Sequence, residues 1–117
     1  GEYKLFSENG SIKESVSLID HLTNITKNNA GEIMINSIDQ EGTMSGVDLN
    51  LVSKVSSIVN VPIISTGGVG NYDHIKDVFL QSSSSAVACG SLFNFTDSNP
   101  IRTKSYLKSY NIPLRIY

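Results

Sequence analysis

The 117-residue sequence is poor in cysteine, and Cys89 is its one thiol. A lone cysteine cannot form an internal disulfide, and it has no second thiol with which to build a zinc cluster. This scarcity favours a reducing, cytoplasmic setting. Because no basic residue adjoins Cys89 in the sequence to lower the pKa of its thiol, we interpret Cys89 as a small core residue.

Strong charge bias and long hydrophobic runs are also missing. Lys and Arg number 9 against 11 Asp and Glu, so no broad positive field exists to attract nucleic acid or an anionic membrane surface. Apolar runs such as 61–64 are far shorter than the ~20 residues of a membrane-spanning helix. Hydrophobic residues make up 39% of the chain, which predicts one packed unit over 1–117. The chain starts with neither Met nor the apolar stretch of a signal peptide, which predicts an excised or truncated chain.

Signals for strands and helices alternate along the chain. Asn9-Gly10 predicts a tight β-hairpin, and apolar residues repeated every three or four positions predict helices. Asp48, Asn71 and Asn99 are each suited to cap a helix. The predicted elements are a ribbon over 3–13, a helix from 15 to about 29, strands at 33–35, 61–64 and 85–89, helices at 49–60 and from 72, an exposed serine-rich loop at 82–85, and a helix from 100 to about 110.

This alternation predicts a parallel sheet whose ligand-binding loops lie at the carboxyl ends of the strands. Two of these loops are rich in glycine, Thr66-Gly67-Gly68 and Gly90-Ser91. Glycine lets a ligand approach the backbone closely, and the N-terminus of a helix attracts anions. A phosphate held between the two loops is one interpretation. Two tight strand-to-helix turns without a ligand are the second interpretation.

Charged residues beside the first core strand suggest further chemistry. Asp39 and Glu41 follow the strand, where a barrel enzyme places catalytic carboxylates, although a solvated turn has the same composition. Glu32, Met34 and Asn36 are predicted to share one face of the strand because side chains alternate. If that face lies inside a barrel, Glu32 needs a charged partner, and at the rim it would be solvated.

Motifs for metals and nucleotides are absent from the sequence. His21 and His74 lack the spacing of metal ligands, and we interpret both as surface residues. No P-loop lysine and no GxGxxG motif occurs. We therefore expect no metal and no cofactor.

Three motifs, in this order and at matching spacing, resemble one family. They are Gly31-Glu32-Ile33-Met34-Ile35-Asn36-Ser37-Ile38-Asp39, Ser65-Thr66-Gly67-Gly68-Val69-Gly70 and Ala88-Cys89-Gly90-Ser91-Leu92-Phe93. With Gly42-Thr43, Gly46 and Asp48, they resemble the C-terminal half of the cyclase subunit of imidazole glycerol phosphate synthase. The resemblance covers nearly the whole chain. It implies an α/β fold, the C-terminal half of a (βα)8 TIM barrel from the strand 5 hairpin through helix 8.

The resemblance also implies a function. In that family a glutaminase subunit releases ammonia, which crosses the barrel and joins a bis-phosphorylated intermediate to give imidazole glycerol phosphate and an aminoimidazole carboxamide ribotide. The two general acid/base aspartates are expected upstream of Gly1, so this chain is expected to hold no catalytic residue and to be inactive alone. Glu32 matches a residue of the ammonia gate. The expected substrate and phosphate ligands are Asn36, Gly42, Thr66, Gly67, Gly68, Gly90 and Ser91.

Three features depart from the family pattern. Glu41 stands where Asp is usual, Asn36-Ser37 stands in place of Thr-Ser, and Asn94 stands in place of a His between two Phe. The segments that resemble paralogues delivering ammonia to a sugar in surface-polysaccharide or flagellin-glycan pathways are Asn36-Ser37-Ile38-Asp39, Thr43-Met44 and Gly90-Ser91-Leu92-Phe93. A self-associating half-barrel that only binds phosphate and a small flavodoxin-like domain also stay open as interpretations.

Overall fold

The computed structural model describes residues 2–115, so Gly1 and residues 116–117 of the predicted unit lie outside the described range. Within it the elements follow the predicted alternation. In chain order they are β1 (Phe6–Ser7), β2 (Ile12–Lys13), α1 (Leu18–Lys27), β3 (Ile33–Asn36), α2 (Leu49–Ser56), β4 (Ile63–Thr66), α3 (Tyr72–Gln81), β5 (Ala86–Val87), α4 (Ser91–Phe95) and α5 (Pro100–Lys108).

The N-terminal ribbon is the predicted hairpin with a longer loop. β1 and β2 pair antiparallel, and residues 8–11 connect them. Glu8–Gly10 forms a single 3-10 turn in this loop. Asn9 and Gly10 have φ angles of 57° and 84°, the positive values that an Asn-Gly turn requires. The hairpin is therefore confirmed, but its connection is four residues long.

Polar side chains cap the helices where the sequence predicts. Side-chain oxygens of Asp48, Asn71 and Asn99 each accept a backbone N–H three residues ahead at 2.9 Å. Each bond satisfies an N–H group that has no partner within its own helix. Pro100 occupies the start of α5, where its missing N–H costs no hydrogen bond.

The boundaries of several elements differ from prediction. α1 begins at Leu18, so Val16 lies outside it and is 41% exposed, while Ile19 is 53% exposed. Its buried side instead combines Leu22 with half-buried Leu18 and Ile25. Spacings of four and three follow the helical repeat more closely than the uniform spacing of three used for prediction. In addition, α2 ends at Ser56 rather than 60, and β5 covers two residues rather than 85–89.

β3, β4 and β5 form a parallel sheet with β4 in the centre. Ile33 lies opposite Ile63, and Asn36 lies opposite Thr66. β5 continues the sheet, with Ala86 beside β4. The carboxyl ends of β3 and β4 therefore end level with one another, which brings the loops that follow them to one edge of the sheet.

The helices cover one face of this sheet. Ile33 and Ile63 are buried there with Val52 and Val55 of α2, and a second cluster packs α3 and α5 around residues such as Leu107. Side chains on the opposite face are exposed on β3 and half-buried on β4. That face carries Met34, which is 61% exposed, with Asn36 and Glu32 on the same side, as the alternation predicts.

The serine-rich segment at 82–85 is more than the exposed loop predicted from sequence. Ser84 is half-buried, and its Oγ lies 2.8 Å from the Oγ of Ser65, a fully buried residue of β4. The same hydroxyl lies within hydrogen-bond distance of the carbonyl oxygens of Ile63 and Ala86. The loop thus supplies a hydrogen-bond partner for Ser65, the buried polar side chain in the centre of the sheet.

The N-terminal segment is fastened to the start of α2. The Tyr3 hydroxyl donates to the Asp48 carboxylate, 3.0 Å from Oδ1 and 3.1 Å from Oδ2, and Lys54 Nζ lies 5.8 Å from the centre of the Tyr3 ring. Burial, followed by the bond to Asp48, raises the pKa of Tyr3. Asp48 therefore holds both the first turn of α2 and a residue 45 positions earlier.

A polar cluster joins α3 to α5. Lys76 Nζ and the Tyr106 hydroxyl each donate to Asp73 Oδ1 at 2.6 Å. These two hydrogen bonds, with that of Lys76 the larger, hold the pKa of Asp73 below its usual value. The cluster fixes the first turns of α3, which follow directly after the glycine-rich loop. None of the helices in residues 2–115 combines the length and hydrophobicity needed to cross a membrane.

Candidate functional site

The loops that follow β3, β4 and β5 meet at the carboxyl edge of the sheet. They enclose a small, mainly polar cleft, which we call the glycine cleft. Its lining consists of Glu41, Gly42, Met44, Thr66, Gly67, Gly68, Val69, Ala88, Gly90 and Ser91. Six of the seven expected phosphate ligands therefore lie side by side, drawn from three separate loops.

Asn36, the seventh expected ligand, lies beside the glycine cleft rather than in its lining. A methyl group added at Gly67 would stand 2.6 Å from Asn36 Oδ1, so the two residues are in close contact. Asn36 instead lines a neighbouring groove of about 640 Å³, which runs between the N-terminal segment and β3 and includes Asp39. Glu32 lies at the opposite end of β3, roughly 13 Å from Asn36 at 3.3 Å per residue.

Gly67 and Gly68 have to be glycines for two reasons. Their φ angles are 93° and 94°, which residues with a Cβ rarely adopt. A methyl group at Gly68 would also stand 2.1 Å from the carbonyl oxygen of Gly46. The Gly46 N–H donates to the carbonyl of Gly68 at 2.7 Å, which joins the β3–α2 loop to the β4–α3 loop.

Met44 extends this contact along the loop. A methyl group at Gly70 would stand 2.2 Å from the Met44 carbonyl oxygen, so the two backbones touch. Met44 itself has a φ of 56°, an uncommon angle for a side chain of its size. The sequence carries no signal for this conformation, because it depends on the docking of one loop against its neighbour.

Hydroxyl groups brace the interior of the β3–α2 loop. Thr43 Oγ1 donates to the carbonyl of Gln40 at 2.8 Å, and Ser45 Oγ lies 2.6 Å from Thr43 Oγ1. Ser45 Oγ also donates to Gln40 Oε1 at 3.0 Å. These bonds between neighbouring residues hold the loop in one shape.

The loop after β5 is open by comparison. A methyl group added at Gly90 would meet no protein atom within 4 Å, and the φ of Gly90 is −107°. The Gly90 carbonyl accepts the N–H groups of Phe93 and Asn94 as α4 begins. Gly90 and Ser91 thus leave one wall of the cleft accessible.

Cys89, next to Gly90, is not among the residues that line the glycine cleft. It packs against the cluster between α3 and α5, and burial raises the pKa of its thiol to about 11. A thiol with that pKa is almost entirely protonated at neutral pH and is a poor nucleophile. Cys89 is thus a half-buried residue packed at the edge of the core rather than a fully buried one.

The two histidines are half-buried rather than free on the surface. The N–H of Gly70 donates to Nδ1 of His74 at 3.1 Å, a bond that the sequence did not predict. A glycine four residues before a histidine in the first turn of a helix is the one available signal. Across residues 2–115 no three His, Cys, Asp or Glu side chains are grouped so that they could hold a metal ion.

Comparison with known proteins decides the family. Residues 2–98 match the family described as histidine biosynthesis protein. The chain belongs to this family. Family members fold as (βα)8 TIM barrels, so the parallel sheet and its helices are part of such a barrel, and the flavodoxin-like interpretation is wrong.

Two relatives carry more specific names. The chain is 35% identical over 114 residues to the imidazole glycerol phosphate synthase subunit HisF of Clostridium botulinum, and 32% identical over 114 residues to the protein of the same name from Chlorobium limicola. Each match covers 97% of this chain and 45% of the relative. The chain therefore spans about half the length of the curated relatives it matches.

Proposed function

We propose that this chain supplies a phosphate-binding part of an imidazole glycerol phosphate synthase cyclase-type subunit. The observation that supports this proposal is the glycine cleft, in which three successive strand-to-helix loops bring glycines and hydroxyls together. In (βα)8 barrels, phosphate sites are commonly built from the loops after the last two strands. β4 and β5 occupy those places if the chain ends its barrel as the resemblance implies.

The composition of the cleft constrains how an anion would be held. Glu41 is the charged residue of the lining, and its carboxylate would repel a phosphate. Binding must therefore depend on backbone N–H groups, which glycines leave accessible, and on the hydroxyls of Thr66 and Ser91. Asn36, at the edge of the cleft, is proposed to contact the part of the substrate nearest the sheet.

The proposed reaction joins ammonia to a bis-phosphorylated substrate and yields imidazole glycerol phosphate and an aminoimidazole carboxamide ribotide. A glutaminase partner would supply the ammonia, and Glu32, at the far end of β3, would contribute to the gate through which it enters. We propose the cytoplasm as the setting. A closed barrel needs eight strands and residues 2–115 provide three parallel ones, so we propose that catalysis needs further strands and their carboxylates.

Amide chemical shifts test the phosphate site directly. Inorganic phosphate and glycerol phosphate at millimolar concentration should shift the N–H signals of Gly67, Gly68, Gly90 and Ser91 in the native chain. The signal of Gly31, which lies before β3 and outside the cleft, should stay in place. If the four cleft signals do not move, the cleft is not a phosphate site.

Two glycine substitutions provide a matched test. At both Gly90 and Gly31 an added methyl group meets no protein atom within 4 Å, and neither residue has a positive φ. Gly90→Ala should weaken phosphate binding about tenfold, equivalent to ~1.4 kcal/mol, because the methyl group enters space that the ligand would use. Gly31→Ala should leave the affinity unchanged. Equal affinity in both variants would contradict the proposed ligand position.

The ammonia gate calls for an activity assay of the assembled synthase that contains this chain. Glu32→Gln should lower glutamine-dependent turnover while leaving turnover with added ammonium salt unchanged, because free ammonia need not enter through the gate. The matched control is Glu8→Gln, in the hairpin loop. Equal losses with both nitrogen donors would show that Glu32 does not act at a gate.

A second candidate function is the transfer of ammonia to a sugar. Asn36 and Ser37, where the family usually has Thr-Ser, both lie against Gly67 at the edge of the cleft. A different substrate that accepts the ammonia would contact the protein at this position. Turnover with a phosphorylated sugar but not with the aminoimidazole intermediate, in the same ammonium-dependent assay, would favour this function.

A third candidate is a self-associating half-barrel that only binds phosphate. Met34 and Ile38 are 61% and 50% exposed beside the uncovered face of the sheet, and such surface favours association. Sedimentation of the native chain would distinguish the possibilities. A defined dimer that binds phosphate without any ammonium-dependent turnover would favour this role.

A further inference from the structure

His74 lies beside both of the loops that pack together at the glycine cleft. Its Nδ1 accepts the N–H of Gly70 at 3.1 Å, at the end of the β4–α3 loop. A methyl group added at Gly46, in the β3–α2 loop, would stand 3.8 Å from the ring atoms Cδ2 and Nε2. The imidazole ring is thus hydrogen-bonded to the β4–α3 loop and separated from Gly46 of the β3–α2 loop by little more than the space of one methyl group.

The bond assigns Nδ1 of the ring the role of hydrogen-bond acceptor. A backbone N–H can only donate, so Nδ1 must be the acceptor in this bond, and Nε2 lies 3.3 Å from Nδ2 of Asn71. The backbone of His74 is held in turn, because its N–H donates to Oδ1 of Asn71 at 2.9 Å. The ring therefore projects from a capped first turn of α3.

The residues next to the His74 ring are those that join the loops. Gly46 donates to the carbonyl of Gly68 at 2.7 Å, and Gly70 is in backbone contact with Met44. Gly68 and Met44 both line the glycine cleft. A change at the His74 ring should therefore alter the cleft in two ways, through Gly46 at Gly68 and through Gly70 at Met44.

We propose that His74 is a positioning residue that holds the β3–α2 and β4–α3 loops in register and thereby sets the geometry of the glycine cleft. His74 is not itself in the lining of the cleft. Its effect on ligand affinity rests on the proposed function, whereas its effect on the loops does not. The two effects can be measured separately.

Hydrogen exchange in the ligand-free chain tests the effect on the loops. His74→Phe keeps a ring but removes the acceptor, so the Gly70 and Gly46 amides should exchange about tenfold faster than in the native chain. His74→Asn keeps an acceptor oxygen bonded to Cγ, as Nδ1 is, and should restore most of the protection of Gly70. His21→Phe, at the half-buried histidine of α1, is the matched control and should change neither amide. Unchanged exchange at Gly70 and Gly46 in His74→Phe would overturn the proposal.

The native chain offers a second measurement in case His74→Phe fails to fold. Nitrogen-15 spectra of the imidazole distinguish protonated from unprotonated ring nitrogens. At neutral pH Nδ1 of His74 should be the unprotonated acceptor. A ring protonated at Nδ1 could not accept the Gly70 N–H and would overturn the proposal without any variant.

Sulfate titration tests the effect on the cleft. Sulfate is the probe because its charge does not change near neutral pH, as that of phosphate does. His74→Phe should weaken sulfate binding about tenfold because the loops are no longer pre-organised, while His74→Asn and His21→Phe should bind within about twofold of the native chain. If His74 had a purely structural role, His74→Phe would lower the stability of the chain but not its affinity for sulfate. There would then be no loss of affinity for His74→Asn to restore.

The two results separate the inference from the proposed function. If sulfate binds the native chain and His74→Phe equally well, His74 does not set the cleft and the inference is overturned, although the phosphate site stands. If Gly70 and Gly46 respond as expected but sulfate does not bind the native chain, the phosphate site is wrong. The role of His74 in holding the loops would then be supported by the exchange data alone.

Discussion

The two glycine-rich loops differ in what surrounds them. The β4–α3 loop, with Gly67 and Gly68, is packed against a neighbouring loop so closely that neither glycine has room for a methyl group. The β5–α4 loop, with Gly90, is open, and a methyl group there would touch nothing within 4 Å. In the β4–α3 loop, glycine therefore allows two loops to pack together. In the β5–α4 loop, it leaves the cleft accessible to a ligand. Glycines that follow two neighbouring strands thus have two different roles.

This difference bears on the two interpretations of the glycine-rich loops, a phosphate site or two tight turns without a ligand. For Gly67 and Gly68, positive φ and close packing already require glycine, whether or not a ligand binds. For Gly90, neither reason applies. The case for a ligand therefore depends most on the open loop, and the following substitutions test the comparison in order of decreasing effect.

Gly68→Ala should have the largest effect on stability. Its methyl group would overlap the Gly46 carbonyl oxygen at 2.1 Å, and its φ of 94° is strained for alanine. We expect the free energy of unfolding to fall by about 3 kcal/mol, measured by chemical denaturation. Gly31→Ala is the control and should be close to neutral. A loss below ~1 kcal/mol would show that the two loops are not packed as described.

Asn71→Ala should have an intermediate effect. It removes the side chain that caps α3 directly after the closed loop, at a cost of about 1 kcal/mol. Asn99→Ala removes the equivalent cap of α5 and should cost a similar amount. The two variants should differ in hydrogen exchange, because only Asn71→Ala loosens the turn that carries His74. Equal exchange at Gly70 in both variants would show that the closed loop does not depend on its cap.

Gly90→Ala should leave the free energy of unfolding within about 0.5 kcal/mol of the native value. The methyl group meets no protein atom, and the backbone angle suits alanine. Denaturation in parallel with Gly68→Ala gives the measurement. If the two variants lose similar amounts of stability, the distinction between a closed and an open loop is broken.

A separate test concerns the thiol of Cys89, which precedes Gly90 on the open loop. A pKa of about 11 against an ordinary 9.0 leaves roughly 100-fold less thiolate at pH 8, so alkylation should be slower by that factor than in the denatured chain. As pH rises from 9 towards 11, the unfolded chain loses this proton first, so stability should fall over that range. Equal alkylation rates in native and denatured chains would place Cys89 outside the core.

Local chemistry explains which parts of the fold could be predicted from sequence. Asp48, Asn71 and Asn99 cap helices through bonds to residues three positions away, so each signal lies within one stretch of sequence. The strand β3 is similarly marked by its own apolar residues. The predicted start of α1 is too early because Val16 and Ile19 fit a periodic pattern that tertiary packing does not use.

The parts that could not be predicted depend on contacts between distant segments. Ser84 partners Ser65 across 19 residues, and Met44 takes its φ from the loop on which it rests. The cleft itself is predicted through the resemblance, which names six of its ten lining residues. The role of His74 is not, because nothing near it in sequence shows that Gly46, 28 positions earlier, lies beside its ring.

The bond between Tyr3 and Asp48 has a consequence for the order of folding. The segment between them, with Tyr3 and Asp48 45 positions apart, contains the hairpin, α1 and β3, so closing this loop carries an entropic cost before the bond can form. We expect it to form after the main folding barrier. Tyr3→Phe should then accelerate unfolding and leave the folding rate nearly unchanged in stopped-flow measurements, whereas a slower folding rate would show that the N-terminal segment docks early. The N-terminal segment would thus dock last during folding and detach first during unfolding.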